Sequence, residues 1–240
     1  MKKNLLFLLL CLLLPMSLLI TACGNKSTGV DLQKMELALK DTLYNLPVEP
    51  EIGSQRLQAL LKEFPDLDSW EKRKACLREG LLTAMELNPQ PAKHPIKPLY
   101  TGHVSFEHYT VDNVAFECVP GLWVIGNLYK PVGEGTSYPA MLIPHGHGNR
   151  EPLEAAPRFL EKSQYLAAAF AQSGVIVFAY DMFGFAESAY HAGTQVHNSS
   201  LAVSIQTWSS IRAVDFLLSL EDVDPERVAI SGRSGGGTQS

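Results

Sequence analysis

The residues best suited to chemistry are Gly232-Arg233-Ser234-Gly235-Gly236. They directly follow the apolar run Val228–Ser231. A serine with glycine two positions before and after it suits a strand-to-helix turn so tight that side chains crowd. The glycines relieve the crowding and leave the hydroxyl exposed. A helix starting behind the serine brings backbone N–H groups towards a reacting carbonyl. The chemistry this predicts is nucleophilic attack by Ser234. A phosphate-binding loop is the competing reading. Gly-x-Gly-x-x-Gly does not fit, because Ser234 stands two positions after Gly232, and a P-loop lysine is absent. No cofactor is expected.

A second cluster, Pro144-His145-Gly146-His147-Gly148, follows the short apolar run Ala140–Ile143. A glycine-rich loop in this position can supply one N–H of an oxyanion hole, and the residue after the nucleophile supplies the other. The expected donors are the backbone N–H groups of His147 and Gly235. A His-x-His metal site is the rival, with His191 or His197 as third ligand. The loop position already accounts for the glycines and the first histidine, so no metal is expected. A further reading is that the histidines only order the loop. Asp181, at the end of the run Val175–Tyr180, lies where functional groups gather in open α/β sheets. An acid partner of a serine in such a turn comes later in the chain. Asp181 is therefore expected to fix loop backbone through hydrogen bonds.

These clusters need elements to hold them. The runs 140–143, 175–180 and 228–231 are too short for helices and too uniformly apolar for one-sided strands, as parallel strands buried on both faces are. Helical patterns separate them, at about 157–172 and about 200–220. The second carries Leu201, Ile205, Trp208, Ile211, Val214 and Leu218 on one face. This alternation predicts βαβ units and a doubly wound, mostly parallel sheet. Before it, His103–Tyr109, Val114–Val119 and Leu122–Tyr129 read as strands, with Pro120-Gly121 as a turn. Residues 31–98 read as a helical N-terminal segment. Helical patterns cover 31–46, the stretch holding Leu57, Leu60, Leu61 and Phe64, and a helix capped at Asp68 with Glu71 that stops at Asn88-Pro89. Four prolines within 88–98 make a connector.

Residues 144–148, 180–188, 206–217, 222–227 and 232–239 together resemble the α/β-hydrolase superfamily, most closely its acetyl xylan esterase-like branch, which is related to dienelactone hydrolases. The resemblance spans about 100–240. It implies a serine esterase removing acyl groups, often acetyl, from carbohydrate, with no cofactor. Ala186 stands where the family often has glycine, and the family's acid, histidine and last strands have no counterpart here. The expectation is an α/β-hydrolase sheet incomplete at its C-terminal side, and a chain that by itself has little or no esterase activity. A prolyl-oligopeptidase-type peptidase shares Gly-x-Ser-x-Gly-Gly, but the stretch before the strands is too short for a propeller. A non-catalytic, lipid-anchored binding protein is the third reading.

The first residues read as targeting. Lys2 and Lys3 precede an apolar stretch from Leu5 to Ile20, then Thr21-Ala22-Cys23. The stretch is short for a membrane span and contains Pro15. It resembles a bacterial lipoprotein signal, which implies removal of residues 1–22, a lipid anchor on Cys23, a tether over 23–30 and export. With Gly24 next, the resemblance favours the outer membrane, on the periplasmic or cell-surface side. The formal net charge is −5, with 20 Lys and Arg against 25 Asp and Glu and no basic run. Nucleic acid is therefore excluded as a partner. Cys76 and Cys118 fall in a helical and a strand pattern, and their pairing is left open.

Overall fold

The computed structural model describes residues 50–133, 135–149 and 153–240. The expected leader, Cys23, the tether and the 31–46 helix lie outside the described residues. Among the described residues no helix is long and apolar enough to cross a membrane. The chain divides into two compact units at Pro89 and Gln90, inside the proline-rich stretch.

The first unit contains helices α1 (Pro50–Glu63) and α2 (Leu67–Ala84). The cap of α2 is Asp66, two residues before the expected one. Its carboxylate accepts the Ser69 N–H at 2.8 Å, and the Asp66 N–H donates back to Ser69 Oγ. This reciprocal box satisfies two of the helix's orphan donors, and the Asp68–Glu71 pairing offers no equivalent. Asp68 instead pairs with Lys72 one turn on, at 2.6 Å.

The second unit is built on six strands: β1 (Leu99–Ser105), β2 (Tyr109–Val119), β3 (Leu122–Pro131), β4 (Tyr138–Pro144), β5 (Ile176–Tyr180) and β6 (Val223–Ile230). They lie in the order β1-β2-β3-β5-β4-β6. Pairing is antiparallel from β1 to β5 and parallel from β5 through β4 to β6. Strands β2, β5, β4 and β6 thus run one way, and β1 and β3 the other. The expected strand 103–109 is split. Phe106 N–H donates to Tyr109 O at 2.9 Å across a turn, and the two rings stack at 4.5 Å.

The helices that follow are α3 (Glu161–Gln172), α4 (Ala186–Ala192), α5 (Ala202–Leu218) and α6 (Gly235–Gln239). Strand β5 is the hinge of the core, and all five of its residues are buried. Alternate side chains serve opposite faces. Val177 and Ala179 pack with Tyr129, Ile143 and the alanine stripe of α3, Ala167, Ala168 and Ala171. Phe178 meets Phe216 of α5 edge-on at 5.0 Å and Phe116 at 6.0 Å, and Tyr180 shares a hydrogen bond with Ser210 of α5 at 2.8 Å. Burying Phe178 fully contributes about 2–3 kcal/mol. Cys118 is a buried free thiol, so it is not joined to Cys76.

Strand β6 departs from expectation. The run Val228–Ser231 was expected to be buried on both faces, yet Ala229 and Ser231 are exposed and Val228 and Ile230 only half-buried. The reason is topological: among the described residues β6 pairs only with β4 and forms the sheet's edge.

Candidate active site

Strands β4, β5 and β6 are parallel, so their C-terminal ends deliver three loops to one edge of the sheet. Those loops carry the three clusters singled out in the sequence.

After β6 the chain turns sharply into α6. Ser234 sits at the turn with φ 57° and ψ −121°. A non-glycine residue in this region stores about 1–3 kcal/mol of backbone strain and persists only where its surroundings enforce it. The enforcement is visible on both sides. A Cβ placed on Gly146 would stand 2.6 Å from the Arg233 carbonyl oxygen and 3.2 Å from Ser234 Cβ. One placed on Gly236 would stand 2.1 Å from Pro144 O. Loop and turn are therefore in backbone contact, which side chains at 146 or 236 would prevent. Ser234 is exposed, and its hydroxyl has no hydrogen-bond partner among the described residues. The Gly235 N–H likewise meets no acceptor among them, while the Gly236 N–H donates to Arg233 O at 3.0 Å.

The two loop histidines do different things. His145 is buried at 7 % exposure. The Met182 N–H donates to its Nε2 at 2.9 Å, which fixes the proton on Nδ1, where it is donated to Gly146 O at 2.8 Å. Burial pushes its pKa from 6.5 down to about 4, with the Gly146 hydrogen bond opposing. Neutral His145 thus pins the loop after β4 to the loop after β5.

His147 turns outward, and its Nε2 faces His197 Nε2 at 3.0 Å. His197 Nδ1 lies 3.0 Å from Phe183 O and 3.1 Å from Gln206 Nε2, which ties the His197 ring to the loop after β5 and to α5. The other edge of the His147 ring, Nδ1 and Cε1, covers Gly235, where a Cβ would come within 2.6 Å of both atoms. Phe185 packs edge-on against His145, His147 and His197, at 5.5, 5.9 and 4.8 Å. Among the described residues no group of three or more His, Cys, Asp or Glu is arranged to hold a metal ion. His191, the other candidate third ligand, lies in the last turn of α4.

Asp181 is fully enclosed and holds backbone, as its position suggested. Its carboxylate receives Arg158 Nε at 2.5 Å and Nη2 at 3.2 Å, and the Ser188 N–H at 3.3 Å. Arg158 also donates to Asn127 Oδ1 of β3 and to Glu187. Burial raises the Asp181 carboxyl above its ordinary value, against the pull of the Arg158 charge. Sequence reasoning missed Arg158. Its signal was a lone arginine among Ala155-Ala156-Pro157 and Phe159-Leu160, since a charge in an apolar run must find a partner.

Comparison with known proteins follows the same outline. No protein-family model matches the chain, and no curated protein does. Among solved structures, the methylesterase BT1017 superposes with a TM-score of 0.70 at 30% identity, over 82% of this chain and 43% of its own. A Bacteroides fragilis protein assigned as an acetyl xylan esterase superposes with a TM-score of 0.54 at 20% identity, over 68% of this chain and 48% of its own. The chain spans less than half the length of either.

Proposed function

This chain has the α/β-hydrolase fold, and we propose that it forms the nucleophile-bearing part of a serine ester hydrolase acting on a carbohydrate ester. The observation that carries the proposal is Ser234. It is held at φ 57° on a strand-to-helix turn, against a glycine-rich loop, with an open hydroxyl. Backbone strain at an exposed hydroxyl has a use when that oxygen must reach a substrate carbonyl.

In this reading Ser234 Oγ attacks the ester carbonyl. The oxygen that gains charge is held by the N–H groups of His147 and Gly235. The alcohol leaves with the proton that the base took from the serine, and water then cleaves the acyl-serine to release the acid and restore Ser234. His145 holds the loop that presents the His147 N–H. The serine also needs a general base, and no side chain among the described residues hydrogen-bonds its hydroxyl. We assign the base and its acid partner to sequence following this chain, within the length of the relatives that it does not span. The half-covered apolar residues Val228 and Ile230 on edge strand β6 are suited to cover by further strands.

The two relatives put the small group on opposite sides of the ester. An acetyl xylan esterase releases a small acid from a large alcohol, whereas a methylesterase releases methanol from a larger acid. The higher identity of the methylesterase favours keeping the second alternative beside acyl removal. The full protein, assayed for acetate and for methanol released from acetylated xylan and from a methyl-esterified polyuronide, decides between them. Release of neither, by a folded protein, contradicts the proposal.

The same proposal includes export and a lipid anchor on Cys23, from the residue pattern at the N-terminus. Incorporation of labelled palmitate in cells, lost in Cys23→Ser, tests it.

A further inference from the structure

A concave site lies apart from the residues of the Ser234 turn. It has a volume of about 470 Å³ and is bounded by β1, β2, β3 and the start of α3. None of Ser234, His147 or Gly235 lines it. This volume is in the range of small-molecule sites.

Its chemistry is specific. Phe106 and Tyr109 stack at 4.5 Å with their planes 14° apart, and Tyr129 continues the row 6.2 Å on. Tyr165 stands 67% exposed at the rim. Tyr109 is covered by its neighbours, so the flat apolar faces offered to a ligand are those of exposed Phe106 and Tyr165. Tyr129 is only 6% exposed, but its hydroxyl is not among the enclosed polar atoms and no described residue hydrogen-bonds it, so it opens on the cavity. Asn113, itself exposed, accepts from Asn127 Nδ2 at 2.8 Å, and its NH₂ has no hydrogen-bond partner among the described residues. Glu161 is the one charged residue of the lining, and no Lys or Arg is among it.

Each feature removes a class of ligand. With a carboxylate in the lining, and with the neighbouring cation Arg158 already paired to Asp181 and Glu187, the site disfavours phosphates and uronates. A purely apolar ligand would leave the Tyr129 hydroxyl and the Asn113 amide without partners, at a cost. What suits both the aromatic faces and the neutral donors is a molecule with an apolar C–H face and hydroxyls at its edge. We infer that this cavity is a binding site for a neutral pyranosyl oligosaccharide, separate from the ester-cleaving turn. It rests on the proposed function only in making a glycan the expected partner, and binding is measured without turnover.

The test uses the full protein carrying Ser234→Ala and a calorimetric titration with neutral hexasaccharides of xylose, glucose, mannose and galactose, and with a galacturonate hexamer. At least one neutral sugar is expected to bind. Tyr129→Phe, which removes only the hydroxyl, is expected to weaken it about five- to tenfold. Tyr165→Ala is expected to weaken it about tenfold. With Ser234 intact, both variants are expected to hydrolyse 4-nitrophenyl acetate as the parent does. Failure of every neutral sugar to bind, unchanged affinity in Tyr129→Phe, or tighter binding of the galacturonate overturns the inference. Failure of ester hydrolysis with binding intact counts against the proposed function alone.

Discussion

Gly146 and Ser234 face each other so closely that a methyl group on the first would lie 3.2 Å from the Cβ of the second, and 2.6 Å from the carbonyl oxygen before it. The loop after β4 and the turn after β6 therefore move as one piece. Gly146→Ala must push the turn away from the loop and misplace the His147 N–H. Loss of one oxyanion donor is expected to lower kcat about 100-fold or more, with little change in KM. Steady-state kinetics on the full protein check this, alongside a thermal melt to confirm folding.

The strain at Ser234 has its own signature. Glycine reaches φ 57°, ψ −121° without steric penalty, whereas alanine does not. Ser234→Gly is expected to be more stable than Ser234→Ala by about 1 kcal/mol, both without esterase activity. Denaturant midpoints of the pair measure it.

His145 makes stability depend on pH. Its ordinary pKa is 6.5 and its folded value about 4. Between these values the unfolded chain takes up a proton that the folded chain does not. The stabilisation is therefore complete above pH 6.5 and is lost as pH falls towards 4. From about pH 7 to about pH 5 the loss from this group is about 2 kcal/mol. Urea unfolding at the two values is expected to show it, and His145→Gln, which can still accept from the Met182 N–H, is expected to remove that part of the slope.

Arg158 and Asp181 form a pair with side chains 2% and 0% exposed. Arg158→Met leaves the Asp181 carboxylate enclosed without its counter-charge, so a loss of about 3–5 kcal/mol is expected. Arg158→Met with Asp181→Leu removes both charges and is expected to recover a large part of that loss, which denaturant unfolding of the two variants measures.

What could be read from the sequence follows from which signals are local. The apolar runs at 140–143 and 175–180 became β4 and β5 because burial on both faces needs uninterrupted apolar residues. Asp181 was placed by its position after β5. The antiparallel attachment of β3 to β5 was not legible, since it depends on which strand edge is free and not on either strand's composition. The turn at Phe106–Tyr109 was hidden because Glu107-His108 carries no glycine, proline or asparagine to mark it. The cap at Asp66 was hidden by a second acidic residue, Asp68, with an equally suitable spacing. Arg158 was hidden because its three partners, Asn127, Asp181 and Glu187, come from distant parts of the chain. The same holds for the His147–His197 contact, between residues 50 positions apart.

The identity of Ser234 as the nucleophile is the claim on which the functional reading stands. The most direct measurement treats the full protein with a fluorophosphonate, which phosphonylates activated serines, and maps the modified peptide while following hydrolysis of 4-nitrophenyl acetate. The expected result is one adduct, on Ser234, with activity falling as labelling rises, and neither labelling nor turnover in Ser234→Ala. Turnover that survives in Ser234→Ala, or an adduct on another serine that tracks the loss of activity, would contradict the account.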